Sequence, residues 1–361
     1  MTTQQLHEND RQPSLSVVGI GLRLPGARDK KEFFELLKEG RSAISRVPDN
    51  RWNPDRMTAP GGIPGKVVTD LGGFVEPHTD IDLLEFGISP AEAKSLDPHQ
   101  AMLVEGVFQA LEDSGVHYRG TNTGVFVTGS PDVHNLGNDM YNMGPYSATG
   151  AAFSMQANRL SYMFDLRGPS VYLDTACSSS ITCLHLARTA ILRGDCDMAV
   201  VAAVNVILAP HASLSFSTLG TLSPTGICHT FDSSADGYSR GEGCTVIILQ
   251  RTKDAIDKGS HIYAEITGTS INANGKGSRS RCLMARNKRL LRTQHTATRD
   301  VSHTRLHTLN VTVRARLWVT PLKPTLSVRC LRRDGLMAII SALAQLRRML
   351  VTWSQLLVWS V

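Results

Sequence analysis

Leu173-Asp174-Thr175-Ala176-Cys177-Ser178-Ser179-Ser180 lies between a short apolar stretch, Val171–Leu173, and a helical run, Ile181–Leu192, that stops at Gly194. Apolar run, small polar turn, then helix predicts a strand-to-helix turn with one thiol at the helix N-terminus. A helix start stabilises negative charge, and the thiolate is the nucleophilic form of cysteine. Cys177 is therefore the candidate nucleophile. A cysteine taken alone is more often a packing residue, so the surrounding chain decides.

Outward from the turn, buried strands alternate with helices. Leu15–Ile20 reads as a strand ending in Gly19 and Gly21, and Lys30–Gly40 as an amphipathic helix with Phe33, Phe34, Leu36 and Leu37 on its apolar face. Residues 42–80, rich in Pro, Gly and Asp, read as loops. Pro90–Ser114 reads as one long helix closed by Gly115, and Ala151–Phe164 as another. Val125–Thr128, Thr245–Leu249 and His261–Thr267 read as strands. Met198–Leu208 is almost wholly apolar, as a central strand buried on both faces is. This alternation predicts a layered α/β fold.

Composition narrows the function classes. Of 361 residues, 42% are apolar and 19% charged, which suits a globular chain with a core. The seven cysteines, 177, 183, 196, 228, 244, 282 and 330, form no CxxC pair and no regular framework, so a zinc site and a disulfide scaffold are not expected. Cys183, Cys196, Cys228 and Cys244 read as packing residues. The polar N-terminus lacks a signal core and no span reaches the ~20 apolar residues that cross a bilayer. A cytoplasmic protein with no membrane partner is expected. The net charge of +6 is uneven: from Leu283 on there are 14 basic residues against two acidic ones, and the rest of the chain sums to −6.

Several segments, in order, resemble the ketosynthase (β-ketoacyl synthase) domain of polyketide synthases. They are Val17–Gly26, Val47-Pro48-Asp49-Asn50-Arg51-Trp52, Phe86–Ala93, Leu96-Asp97-Pro98-His99-Gln100, the cysteine turn Asp174–Ser180, Leu222-Ser223-Pro224, Phe231–Gly243 and Ile271–Lys276. Ala101 stands where the family has Arg. The resemblance covers about residues 14–288. It implies a thiolase-like layered αβαβα fold, with the N-terminal half essentially complete and the C-terminal half largely missing. It also implies a homodimer, and decarboxylative condensation of an acyl thioester with a malonyl thioester. Cys177 would carry the acyl chain, its own N–H serving as one oxyanion donor. No bound cofactor or metal is implied; the substrates would arrive on the phosphopantetheine arm of an acyl carrier protein.

Two other motifs are decoys on this reading. Gly237-Tyr238-Ser239-Arg240-Gly241 fits the hydrolase GxSxG pattern but lacks a strong strand before it and a helix after it. Gly19-Ile20-Gly21 hints at a dinucleotide loop, but the third glycine is misplaced at Gly26 behind Pro25.

The family's second half-reaction uses two histidines, in HGTGT and KSNIGH stretches, and neither occurs here. His295, His303 and His307 have the wrong neighbours. Back-translated with free codon choice and read from the third base of each codon, Leu309–Pro324 can encode Glu-Cys-His-Gly-Thr-Gly-Thr-x-Leu-Gly-Asp-Pro-Ile-Glu-Ala, with the histidine at about position 312. The expectation is a reading-frame change near Lys288–Arg292. The basic tail is then not a nucleic-acid patch. The expected organisation is a disordered lead at 1–13, the first ketosynthase half at 14–260, the start of the second at 261–288, and a non-homologous, poorly ordered tail at 289–361. Condensation is expected to be lost in this form. The alternative is a non-catalytic remnant that at most dimerises with a ketosynthase.

Overall fold

A computed structural model of the chain describes residues 14–75, 82–129, 143–229 and 232–273. The lead at 1–13, the tail at 289–361, and His295, His303, His307, Cys282 and Cys330 lie outside the described residues.

In chain order the elements are β1 (Leu15–Arg23), α1 (Lys30–Lys38), β2 (Ile44–Arg46), α2 (Pro54–Met57), β3 (Leu71–Gly73), α3 (Pro90–Ala93), α4 (Pro98–Ser114) and β4 (Thr123–Gly129). Then come α5 (Ser147–Ala151), α6 (Met155–Met163), β5 (Ser170–Tyr172), a 3-10 turn (Ala176–Ser178), α7 (Ser179–Arg193), β6 (Met198–Asn205), α8 (His211–Thr218), β7 (Arg240–Gly241), β8 (Gly243–Arg251), α9 (Thr252–Asp257) and β9 (Ala264–Ile266). The helix expected over Pro90–Ser114 is two. Pro98 has no N–H to continue α3, and the Asp97 carboxylate accepts from the His99 N–H to start α4 afresh. The loop-rich stretch 42–80 holds β2, α2 and β3, elements too short to show a period.

Six strands form one sheet in the order β5-β4-β6-β8-β1-β9. Strands β4, β5 and β6 are parallel; β8 runs antiparallel to both β6 and β1. As expected, β6 is central and buried throughout. Alternate side chains divide between two layers. Val125, Val127, Val200, Ala202, Val246 and Ile248 face α4, α6 and α9, while Phe126, Ala199, Val201 and Leu249 face α7. The result is α/β/α.

Gly19 and Gly21 do not end β1; the strand runs on to Arg23. A methyl at Gly19 would be driven into the Ala110 carbonyl oxygen, and one at Gly21 into that of Gly106. The glycines let α4 lie directly on the strand, which is why a dinucleotide-like pattern occurs where no loop exists.

A three-stranded sheet, β2-β3-β7, sits beside the first. The joint is Glu242, between β7 and β8. Its carboxylate is fully buried and accepts four N–H groups: Arg51 Nε at 3.2 Å, Arg51 Nη2 at 3.0 Å, Val75 N at 2.9 Å and Ile207 N at 2.8 Å. Beyond residue 260, β9 pairs with β1 and Tyr263 N donates to the Val17 carbonyl at 2.9 Å. Lys30 bridges Asp113 and the Tyr263 hydroxyl, so the segment around β9 docks on β1, α1 and α4.

Candidate active site

The C-terminal ends of three parallel strands, at Gly129, Tyr172 and Asn205, lie along one edge of the large sheet. In parallel sheets this edge is where substrates bind. The chain leaves β5, turns through Asp174–Ser178 and enters α7, which runs back across the sheet against β4 and β6. Cys177, partly exposed, stands on that turn. The fifteen-residue helix α7 begins two residues after it, and its N-terminus carries partial positive charge. The strand and helix are each displaced by one or two residues from the expected Val171–Leu173 and Ile181–Leu192, and the turn is where expected. Gly194, at φ +84°, closes α7 in the left-handed region.

The turn is strained at one place. Ala176 has φ +56°, a left-handed conformation that costs a residue bearing a Cβ about 1 kcal/mol. Side chains on both sides hold it. Asp174 Oδ1 accepts the Ala176 N–H at 2.7 Å. Ser179 Oγ accepts the Thr175 N–H at 2.7 Å and donates to the Ala176 carbonyl at 2.7 Å. Ser178 Oγ donates to the Thr175 carbonyl at 2.9 Å, and the Thr175 and Thr182 hydroxyls lie 3.1 Å apart. The sequence marked these serines only as small polar neighbours of the thiol. The positive φ at a non-glycine residue has no signature in composition or period.

Tyr172 and His99 are each tied up in hydrogen bonds. Burial first, then the Asp174 charge, push the Tyr172 phenol up to about 12, and its hydroxyl donates to the Gly129 carbonyl at 2.9 Å while the ring stacks on Phe153. His99 is buried with both nitrogens engaged. Nε2 accepts the Val206 N–H at 3.0 Å, so the proton lies on Nδ1, 2.6 Å from Asp97 Oδ1. It fastens α4 to the end of β6.

Burial pushes the Cys183 thiol up to about 12 and that of Cys196 to about 11, and it raises Cys244 further. Cys228, also buried, accepts the Ser239 N–H on its sulfur at 3.2 Å. All four pack in the interior, as the sequence indicates. Ser239 of the GxSxG pattern is itself fully buried, with its backbone between a bridge at Tyr238 and β7, so it presents no nucleophile. Among the described residues no three His, Cys, Asp or Glu side chains gather to hold a metal ion, and no helix is long and apolar enough to cross a membrane.

Residues 13–255 match the family model for the β-ketoacyl synthase N-terminal domain. Prosolanapyrone synthase of Alternaria solani is 44% identical over 271 residues, which is 73% of this chain and 10% of that protein. The highly reducing polyketide synthase srdA of Neurospora crassa is 42% identical over 279 residues, 74% of this chain and 12% of that one. The oxazolomycin ketosynthase domain of Streptomyces albus superposes with a TM-score of 0.73 at 33% identity, over 78% of this chain and 50% of that structure. The ketosynthase from module 6 of the Bacillus subtilis bacillaene synthase gives 0.71 at 32%, over 78% and 48%. The chain thus spans about a tenth of these curated relatives and half of these solved domains. The superpositions carry the thiolase-like fold expected from the sequence.

Proposed function

The chain belongs to the β-ketoacyl synthase family, as a ketosynthase domain of polyketide-synthase type, and on that premise we propose that Cys177 is its acyl-carrying nucleophile. The family consists of condensing transferases. The observation that supports the assignment is the elbow: a partly exposed thiol, held at the start of α7 by a left-handed residue, on the carboxyl edge of parallel strands.

In the proposed half-reaction the Cys177 thiolate attacks the carbonyl of an acyl thioester. A carbon–sulfur bond forms, and the oxygen becomes an oxyanion that the Cys177 N–H stabilises. The intermediate collapses with loss of the carrier thiolate, which takes up the proton that Cys177 gave. The acyl chain now rests on the enzyme, and the donor is a thioester on an acyl carrier protein's phosphopantetheine arm. The second half-reaction, loss of carbon dioxide from a malonyl thioester and attack of its carbanion on the acyl-enzyme, draws in this family on the two histidine stretches that the 361 residues lack. We therefore assign loading to this chain and expect condensation to fail.

Incubating the full chain with an acyl N-acetylcysteamine thioester, followed by intact-mass and peptide analysis, tests the assignment. One acyl group on Cys177, absent from Cys177→Ala, is expected. No adduct would remove the loading step and leave the non-catalytic remnant.

A further inference from the structure

We infer that Ser179 is a positioning residue for the nucleophile: its hydroxyl clamps Ala176 in the left-handed conformation that aims Cys177. This deepens the loading reading and rests on it. Two hydrogen bonds from one oxygen straddle the strained residue. Ser179 Oγ accepts from the N–H of Thr175, ahead of Ala176, and donates to the carbonyl of Ala176 itself. Both are 2.7 Å, and Ser179 is 4% exposed, so water does not compete. The hydroxyl is used in both its roles, as acceptor and as donor. Without the hydroxyl the Thr175 amide loses this acceptor, the Ala176 carbonyl keeps only the Ser179 backbone N–H, and the turn relaxes toward negative φ. Such a rotation swings the following residue, Cys177, away from the axis of α7. The other hydroxyls of the turn do not duplicate this clamp. Ser178 reaches only the Thr175 carbonyl and hydroxyl, and Thr182 reaches the Ser178 carbonyl. Asp174 holds the Ala176 amide alone.

The inference separates geometry from stability. Ser179→Ala removes an oxygen and opens little space, so the fold persists while the elbow loosens. Ala176→Gly supplies the left-handed conformation without strain, because glycine populates positive φ freely. It therefore replaces what the Ser179 hydroxyl enforces.

The test uses the full chain as wild type, Ser179→Ala and the double variant Ala176→Gly/Ser179→Ala. The second-order rate of iodoacetamide modification at Cys177, read by peptide mass across pH 6–9, is measured beside the urea midpoint. Loss of two neutral hydrogen bonds predicts about a tenfold slower reaction in Ser179→Ala, with the double variant returning to within about threefold of wild type. A Ser179→Ala rate equal to wild type overturns the inference, and so does a double variant as slow as the single. A large fall in urea midpoint that accounts for the slower reaction overturns it too. Iodoacetamide needs no acyl chemistry. A clear clamp effect in a chain that forms no acyl adduct would sink the loading reading alone.

Discussion

Glu242→Gln is the sharpest perturbation of the scaffold behind the elbow. The carboxylate is 0% exposed and its Arg51 partner 1%. Oε1 accepts from Arg51 Nε and the Ile207 amide; Oε2 accepts from Arg51 Nη2 and the Val75 amide. Glutamine keeps the shape but has one acceptor oxygen. Whichever way the amide lies, its NH2 group faces two N–H donors, one from Arg51 and one from the backbone. Hydrogen bonds to a charged group contribute about 1.5–3 kcal/mol each. Arg51 is also left as a buried cation without its countercharge, and breaking such a pair costs about 3–5 kcal/mol. The two figures describe overlapping losses, so the expected cost is about 4 kcal/mol, against a whole-domain stability of about 5–15. Urea unfolding of the full chain, followed by far-ultraviolet circular dichroism, reads it. With a slope of about 3 kcal/mol per molar urea, the midpoint falls by about 1 M or more. A midpoint within about 0.3 M of wild type would show that the four donors find other partners, and that this joint does not hold the two sheets together.

Iodoacetamide at pH 8 is expected to label Cys177 in the folded chain and to leave Cys183, Cys196, Cys228 and Cys244 unlabelled until urea is added, since burial covers all four and keeps the first two thiols protonated at about 12 and 11; labelling of Cys183 at the Cys177 rate would refute this. Gly21→Ala drives a methyl into the Gly106 carbonyl and must lift α4 from β1, at about 2–3 kcal/mol; a urea midpoint equal to wild type would mean that the helix yields without loss. Desolvation first, then the Arg188 charge, lower the His185 pKa in the fold, with the Thr269 contact partly opposing them. The unfolded chain then takes up a proton before the folded one as pH falls through about 6.5, so folding stability declines from there toward the lower folded pKa. His185→Gln is expected to flatten that decline between pH 7.5 and 5.5, and parallel wild-type and variant curves would count against it.

The main lines of the fold are legible because each rests on a pattern with a period or a stop signal. The alternation of Met198–Asn205 between two apolar layers and the Gly115 and Gly194 helix ends are written in residue order, whereas of the apolar residues of α1 only Leu36 is buried and Phe34 is exposed. Split elements are harder to read, because capping competes with periodicity. The apolar spacing runs on through Asp97-Pro98, and only the capping geometry reveals two helices. Gly19 and Gly21 defeat a local reading for another reason. The atoms that require them belong to Ala110 and Gly106, far along the chain. The same holds for Glu242, an acidic residue in a glycine-rich motif, whose four donors come from three other segments. Of the site, the placing of the Cys177 thiol on a strand-to-helix turn was legible, because the turn is local. Its restraint was not, because a serine's two simultaneous hydrogen bonds depend on a backbone angle that no residue type announces.

That locality bears on what a chain of this kind retains. Every group that shapes the elbow, from Asp174 to Thr182, falls within nine consecutive residues, and the sheet edge that supports it is built from β4, β5 and β6. The antiparallel partners β8 and β1 extend the same layer, which β9 closes on its far side. Condensation is different in kind. It requires proton-handling groups facing the acylated sulfur, and among the described residues Asp174 is committed to the Ala176 amide, His99 to Asp97 and Val206, and His185 to Thr269. A loading step without condensation is therefore the specific outcome this arrangement predicts. Carbon dioxide release from malonyl thioester, measured with the acyl-loaded chain, is expected to stay at the rate of Cys177→Ala. Release above that background would show that a group outside this elbow supplies the missing acid–base chemistry.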